Sequence, residues 1–277
     1  DDRVTGRLDA FAPFAKIIHI DVDPASISKN VAVDVPIVGD ARNVLGQLLE
    51  EIKKVPDTSE WHKAISSWKR KYPLTYKDSA KIKPQYVIEQ IYEAAGDGAI
   101  ITTEVGQNQM WAAQWYKYTA PRTFISSGGL GTMGFGFPAA MGVKLGCPDK
   151  TVIDIAGDGS IQMNIQELGT CVCNKINVKV AILNNGYLGM VRQWQELFYK
   201  KRYSQVCITS PDFVKLAESY GALGIKVTKK EEVRPAIEKA LATDNTVFID
   251  FHIDPQENVY PMVPAGEAIN RMIEGLA

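Results

Sequence analysis

No apolar run in this chain approaches the roughly 18 residues needed to cross a bilayer as a helix. Nor is charge of one sign in excess: 31 Lys and Arg stand against 32 Asp and Glu, a net charge of -1 over 277 residues. That balance excludes a surface built for nucleic-acid phosphates or anionic lipid. Cysteine is scarce, at four residues, which excludes a disulfide scaffold. Cys171 and Cys173 form a C-x-C with no second pair at zinc spacing, and Cys147 and Cys207 stand alone. All four are expected to be reduced and mostly packing residues. Only three histidines occur. His62 is isolated, and His19 and His252 lie in apolar runs that suit core or edge positions. No G-x-S-x-G is present to support a Ser-His-Asp hydrolase. The chain opens Asp1-Asp2-Arg3 without a Met, so it reads as a fragment and a missing leader carries no weight.

What is present is ordinary globular composition, 45% hydrophobic and 23% charged. Lys16 to Val22 reads as a buried strand ending in acids. A helix is expected over about 41–54, with Val44, Leu45, Leu48, Leu49 and Ile52 at helical spacing. A Trp- and Lys-rich helix (Trp61, Ile65, Trp68) precedes a polar, proline-marked stretch at 71–84. From Pro84 onward helices and strands alternate. Strands are expected at 99–102, 123–125, 151–156, 178–183, 223–227 and 246–251. Helices are expected at 84–95, 107–117, 137–145, from Ser160 to about 174, at 211–220 and at 231–242. Such alternation predicts an α/β fold with a parallel sheet flanked by helices. Ligands of such sheets bind beyond the carboxyl ends of the strands.

Two polar clusters fall at such ends. Gly157-Asp158-Gly159-Ser160 follows one apolar strand and Asn184-Asn185-Gly186 follows the next. A carboxylate and an amide carbonyl are hard oxygen donors suited to an octahedral cation such as Mg²⁺, which completes its shell with water and substrate phosphates. The glycines let backbone N–H groups approach those phosphates. Each cluster alone reads more readily as a turn; it is the pair, each at a strand end, that points to a site. The loop Gly129-x-Gly131-x-x-Gly134 spells a dinucleotide fingerprint, but the strand before it is short and no acid lies near a second strand end about 20 residues on. That reading is rejected. Met190 and Trp194, four apart, share one helical face that reads equally as packing within its own domain, and Met133 by itself reads first as a core residue after a flexible loop.

The pair of clusters resembles the diphosphate–magnesium motif of thiamine-diphosphate enzymes. Three further runs narrow the resemblance: Thr102 to Trp111 (TTEVGQNQMW), Ser127 to Gly136 (SGGLGTMGFG) and Gly189 to Gln195 (GMVRQWQ). They look like the C-terminal half of the large catalytic subunit of acetohydroxyacid synthase (acetolactate synthase). Asp1 to Gly6 and Val38 to Ala41 look like the end of that family's FAD-binding, Rossmann-like middle domain. The resemblance thus implies middle domain over 1–55, a linker with a helix over 56–83, and a thiamine diphosphate/Mg²⁺-binding domain over 84–277.

It also implies roles. Asp158, Asn185 and the carbonyl of Tyr187 would hold Mg²⁺. Val105, Gly106, Gln107, Asn108, Gly157, Gly159 and Ser160 would hold the diphosphate, with Gly189 beside them. Met133 would prop the cofactor in a bent shape, and the Gly131 carbonyl would accept from its aminopyrimidine. Met190 and Trp194 would wall the pocket for the second 2-oxo acid, and Gln109 would line the entrance. Asp2, Arg3, Val4, Asp21, Asp40 and Ala41 match positions near FAD, a structural cofactor here; Asp40-Ala41 reads equally as a helix N-cap. The sequence departs from the pattern at Asn108, where His is expected, and at Glu104, where Asp or Gly is expected; Asn can still donate to phosphate.

The implied activity is condensation of two 2-oxo acids. Pyruvate is decarboxylated, and its two-carbon unit is added to pyruvate or 2-oxobutyrate, giving acetolactate or acetohydroxybutyrate. The family's activating Glu lies in an N-terminal domain that nothing here resembles, so this chain alone is expected to be inactive. A homodimer or homotetramer, a small regulatory subunit and a cytoplasmic location (plastid in a plant) are implied as well, with no nucleic-acid or membrane partner. The rivals are another thiamine-diphosphate 2-oxo acid decarboxylase or carboligase, and a non-catalytic nucleotide-binding α/β module.

Overall fold

Along the central strands, apolar residues face alternate sides, and each side meets its own helices. The computed structural model describes residues 2–274; the side chains of Asp2 and Arg3, two expected FAD contacts, lie outside the described residues. The chain divides into two compact units. One runs to Thr75 and resumes at Tyr260; the other is Tyr76–Val259. The sequence-based boundary for the second domain, 84–277, therefore differs at both ends. Ile82 is buried and forms a bridge with Ile253, so the end of the expected linker packs into the second unit.

The first unit holds α1 (Asp2–Thr5), β1 (Ile18–Asp21), β2 (Val35–Val38), α2 (Ala41–Glu51) and α3 (Ser59–Lys71). β1 and β2 pair in parallel, Asp21 opposite Val38. β1 is not the buried strand expected: Ile18 is 59% exposed and no residue of the strand is buried. Its two-stranded sheet brings too few layers together to enclose an apolar strand. Asp40 N-caps α2, its carboxylate accepting from the Asn43 N–H at 3.0 Å. That matches the capping alternative for Asp40-Ala41.

The second unit is built on a six-stranded sheet. In chain order it contains α4 (Pro84–Ala95), β3 (Ile100–Thr103), α5 (Gln107–Trp115), β4 (Phe124–Ser126), α6 (Gly136–Gly146), β5 (Val152–Gly157), α7 (Leu168–Cys173), β6 (Lys179–Asn184), α8 (Gly189–Phe198), α9 (Phe213–Ser219), β7 (Leu223–Val227), α10 (Val233–Ala242) and β8 (Val247–His252). The strand order is β4-β3-β5-β6-β8-β7, every pairing parallel. The expected parallel α/β sheet is what forms. The segment after Ser160 differs from expectation. Instead of one helix it makes two short 3-10 turns, Ile161–Met163 and Ile165–Glu167, before the six-residue α7. Asn164 sits between them, and its Nδ2 donates to the Gly134 carbonyl at 2.7 Å, a tertiary bond made outside helical geometry.

Ile153, Ile155, Ala181, Leu183, Ile249 and Phe251 face one side, against Val87, Ile88 and Ile91 of α4, Trp111 of α5 and Ile237 of α10. Val152, Ala156, Val180, Ile182 and Phe248 face the other, against Phe137 and Ala140 of α6, Leu168 of α7 and Phe213 of α9. The period-2 alternation puts a core on each face. Phe137 meets Phe248 edge to face at 5.6 Å. Among the cysteines only Cys171 is packed inside, its thiol pushed up to about 12 by burial; Cys147, Cys173 and Cys207 are exposed, against the expectation of packing roles. His252 is exposed at the carboxyl end of β8, an inner strand, 3.0 Å from Asp250, and so is neither the core nor the edge histidine expected.

Candidate active site

The chain leaves β3 to one side to make β4, then crosses over to β5 on the other side of β3. The carboxyl ends of β3 and β5 therefore diverge, the point at which an open parallel sheet offers a crevice. A cavity of about 240 Å³ lies there. Its walls come from the segment after β3 (Val105 to Trp111), the loop after β4 (Gly131, Met133), the turn after β5 (Gly157 to Ser160) and the segment after β6 (Asn185, Tyr187 to Val191). Four segments well apart in sequence meet because the parallel strands all end at one edge. Of the expected cofactor and metal residues, Val105, Gly106, Gln107, Asn108, Gly131, Met133, Gly157, Asp158, Gly159, Ser160, Asn185, Tyr187, Gly189 and Met190 line this cavity, as does Gln109. Asp21, Asp40 and Ala41 belong to the first unit.

Asp158 is 1% exposed. Its Oδ1 accepts from the Asn185 N–H at 3.4 Å, and Oδ2 from the Gly186 N–H at 3.2 Å and the Ser210 hydroxyl at 2.9 Å. Burial pushes the carboxyl upward, while these donors favour the charged form. The two loop tips thus touch. Asn185 Nδ2 donates to Gln107 Oε1 at 3.2 Å, and Asn185 Oδ1 accepts from the Tyr187 N–H at 3.0 Å. Ser160 Oγ closes the turn onto the Gly157 backbone. Gly131, at φ 66°, takes a backbone conformation that side chains rarely adopt.

The donor set fits a hard cation. Among the described residues no group of three or more His, Cys, Asp or Glu side chains could hold an ion. An ion here would rely on one carboxylate, an amide oxygen and a backbone carbonyl, leaving positions for phosphate oxygens and water.

Three residues depart from the expected picture. Asn108 Nδ2 donates to the carbonyls of Glu104 at 3.0 Å and Ile155 at 2.8 Å. Both amide hydrogens are committed, so its side chain offers the cavity an acceptor and not a phosphate donor. Trp194 does not line the cavity; it lies on an adjoining one of about 710 Å³ with Met190, Val191, Gln195, Tyr199 and Arg202. Glu104 is fully buried, its carboxylate accepting from the N–H groups of Gly134 at 2.6 Å and Phe137 at 3.0 Å. It ties the loop carrying Gly131 and Met133 to β3, and burial raises its pKa. Two residues for which the sequence predicts no role, Ser210 and Gln193, also belong here through their bonds to Asp158 and Gln107. Ser210 reads as part of a Thr-Ser-Pro turn before a helix, and no spacing rule connects it to Asp158.

An open parallel α/β sheet with glycine-flanked oxygen donors at its switch point is the setting in which enzymes of this class hold a ligand. Residues 104–251 match the family described as thiamine pyrophosphate enzyme, C-terminal TPP binding domain, and residues 1–48 match thiamine pyrophosphate enzyme, central domain. The chain belongs to the thiamine pyrophosphate enzymes. It is 50% identical over 281 residues to the acetolactate synthase large subunit of Haemophilus influenzae, covering 99% of this chain and 49% of that protein. Against the large subunit of acetolactate synthase isozyme 3 of Escherichia coli it is 47% identical over 283 residues, covering 98% of this chain and 49% of that protein. The large subunit of Buchnera aphidicola is 49% identical, with 98% and 49% covered. The chain spans about half the length of these relatives.

Proposed function

We propose that this chain is the cofactor-binding half of an acetolactate synthase large subunit. In that reading the whole protein decarboxylates pyruvate and joins the two-carbon unit to pyruvate or 2-oxobutyrate. The observation that carries it is the Asp158 carboxylate held against the Asn185–Gly186 backbone in the wall of the cavity. Asp158, Asn185 Oδ1 and the Tyr187 carbonyl would hold Mg²⁺, and Gly106, Gln107, Gly159 and Ser160 would face the diphosphate. Thiamine diphosphate, when bound, supplies the nucleophilic carbon and the electron sink for decarboxylation. The protein supplies position: Met133 and the Gly131 carbonyl face the organic part of the cofactor and fix its shape. Met190 lines both cavities, so a second 2-oxo acid would enter past Met190 and Trp194, with Gln109 at the entrance.

FAD is proposed as a structural cofactor of the first unit. Asp21 ends β1, its register partner Val38 ends β2 and Asp40 follows, so both acids lie at the carboxyl edge of a parallel pair, where a ribose hydroxyl would meet Asp21. The relatives are named large subunits, which supports a small regulatory partner beside a homodimer or homotetramer. A cytoplasmic location fits as well. Among the described residues no helix is long and apolar enough to cross a membrane.

Calorimetric titration with thiamine diphosphate tests the reading. Binding should require Mg²⁺ and vanish in Asp158→Ala; binding that persists in either case overturns it. Product analysis on the whole protein separates the ligase from a decarboxylase: acetaldehyde as the main product from pyruvate rejects the ligase.

A further inference from the structure

Three side-chain amides run from the middle of the second unit to the metal loop, and their hydrogen bonds allow one orientation of each. Gln193 on α8 is 0% exposed. Its Oε1 accepts from the Val259 N–H at 2.8 Å, and its Nε2 donates to the Val259 carbonyl at 2.9 Å. A backbone N–H and a backbone carbonyl leave no freedom to exchange oxygen and nitrogen. The same Oε1 accepts from Gln107 Nε2 at 2.9 Å, and Gln107 Nε2 also donates to the Glu257 carbonyl at 3.1 Å. With both hydrogens of that nitrogen placed, Gln107 must turn its Oε1 toward Asn185, where it accepts from Nδ2 at 3.2 Å. A reversed Asn185 would set two oxygens against each other in a part-buried place.

We infer that Gln193 and Gln107 form an amide relay that orients Asn185 so that its oxygen, and not its nitrogen, is offered to the metal ion. The inference rests on the proposed role of Asn185 as a metal ligand. Asn185 Oδ1 uses one lone pair on the Tyr187 N–H and keeps the other. The amide pair closes because residue 189 is glycine: a Cβ there would lie 2.1 Å from Gln107 Oε1 and 2.8 Å from Asn185 Nδ2. The far end is fixed too. Glu257 accepts from Gln85 at 2.9 Å and from Lys83, and Lys83 also bonds Asp254. Gln193 is thus a positioning residue, acting on the ion through two others.

The test is a double-mutant cycle in the chain at its natural full length, read as the Mg²⁺ concentration that half-saturates thiamine diphosphate binding. Gln193→Met keeps the volume and removes the relay, and should raise that concentration about tenfold, as loss of an outer-sphere partner does. Asn185→Asp replaces the amide with a carboxylate that presents oxygen whichever way it turns. It also sets a carboxylate oxygen against Gln107 Oε1, so in that background Gln193→Met frees Gln107 to turn its nitrogen toward the carboxylate and should not raise the midpoint. A merely structural role would shift both backgrounds alike. An unchanged midpoint for Gln193→Met, or an equal shift in both backgrounds, overturns the relay. Gln193→Leu, run through the same cycle, decides the same question if Gln193→Met does not fold. Asp158→Ala separates the two ideas: if it leaves Mg²⁺-dependent binding intact, the metal-site reading fails and not the relay alone.

Discussion

The hydroxyl of Ser210 donates to Oδ2 of Asp158 at 2.9 Å, across 52 residues of sequence. It is the one side chain among the described hydrogen-bond donors to that carboxylate; the others are backbone N–H groups. It favours the ionised form of a carboxyl that burial alone would push toward neutrality.

Ser210→Ala should therefore weaken Mg²⁺-dependent thiamine diphosphate binding several-fold. The cost in stability should be only ~1 kcal/mol, the size of one part-buried hydrogen bond. Calorimetry beside a urea melt checks both. Unchanged metal dependence would remove Ser210 from the site.

Beneath the cavity, Asp154 is fully buried on β5, with Thr102 Oγ1 donating to its Oδ1 at 3.0 Å and no hydrogen-bond partner for Oδ2 among the described residues. Burial first, then the negative charge of Glu104, hold its carboxyl well above the usual carboxylate range. The folded state then binds more protons than the unfolded one. Stability is full below the ordinary carboxylate pKa and is lost as pH rises through the raised one. Asp154→Asn should flatten this slope and leave the variant more stable than wild type in mildly alkaline buffer. Urea midpoints across the pH range measure it, and parallel slopes for the two proteins would contradict it.

Gly136 opens α6 against both acids. A Cβ there would meet Asp154 Oδ1 and the Glu104 nitrogen at 2.4 Å and the Thr103 carbonyl carbon at 2.5 Å. Two of those atoms are backbone, so they cannot move aside cheaply. Gly136→Ala is expected to destabilise by ~3 kcal/mol, the upper range for overpacking. It should also displace the loop that carries Gly131 and Met133. A thermal melt matching wild type would refute the close approach.

Trp194 is 42% exposed and touches Phe198 edge to face at 5.8 Å. Trp194→Ala should cost ~1–2 kcal/mol of stability, because more than half of the side chain is covered and the ring contact with Phe198 is lost. Its effect should also fall on the choice between pyruvate and the larger 2-oxobutyrate as second substrate. Competition between the two acids in the whole protein reads this directly; an unaltered product ratio places Trp194 outside the acceptor pocket.

The six strands of the second unit and the position of Asp158 and Asn185 at strand ends are legible in the sequence because each depends on local pattern. Four of the six are largely apolar runs of five or six residues, which have few other solutions. The segment 161–173 reads as one helix because nothing local betrays the bond from Asn164 to the Gly134 carbonyl. Residue type alone makes Asn108 a phosphate donor, but its amide hydrogens go to Glu104 and Ile155, a choice set by how α5 packs on β3 and β5.

Residue order alone determined the alternation of helix and strand, the two glycine-flanked oxygen donors and the family resemblance, all of which are short-range features of a chain. Only the tertiary structure decided that Ser210 reaches Asp158, that Gln193 turns Gln107 and thereby Asn185, and that Trp194 faces the neighbouring cavity. The reason is geometric. A hydrogen bond between residues 52 or 86 positions apart depends on strand order and helix packing, and no periodicity in the sequence records either.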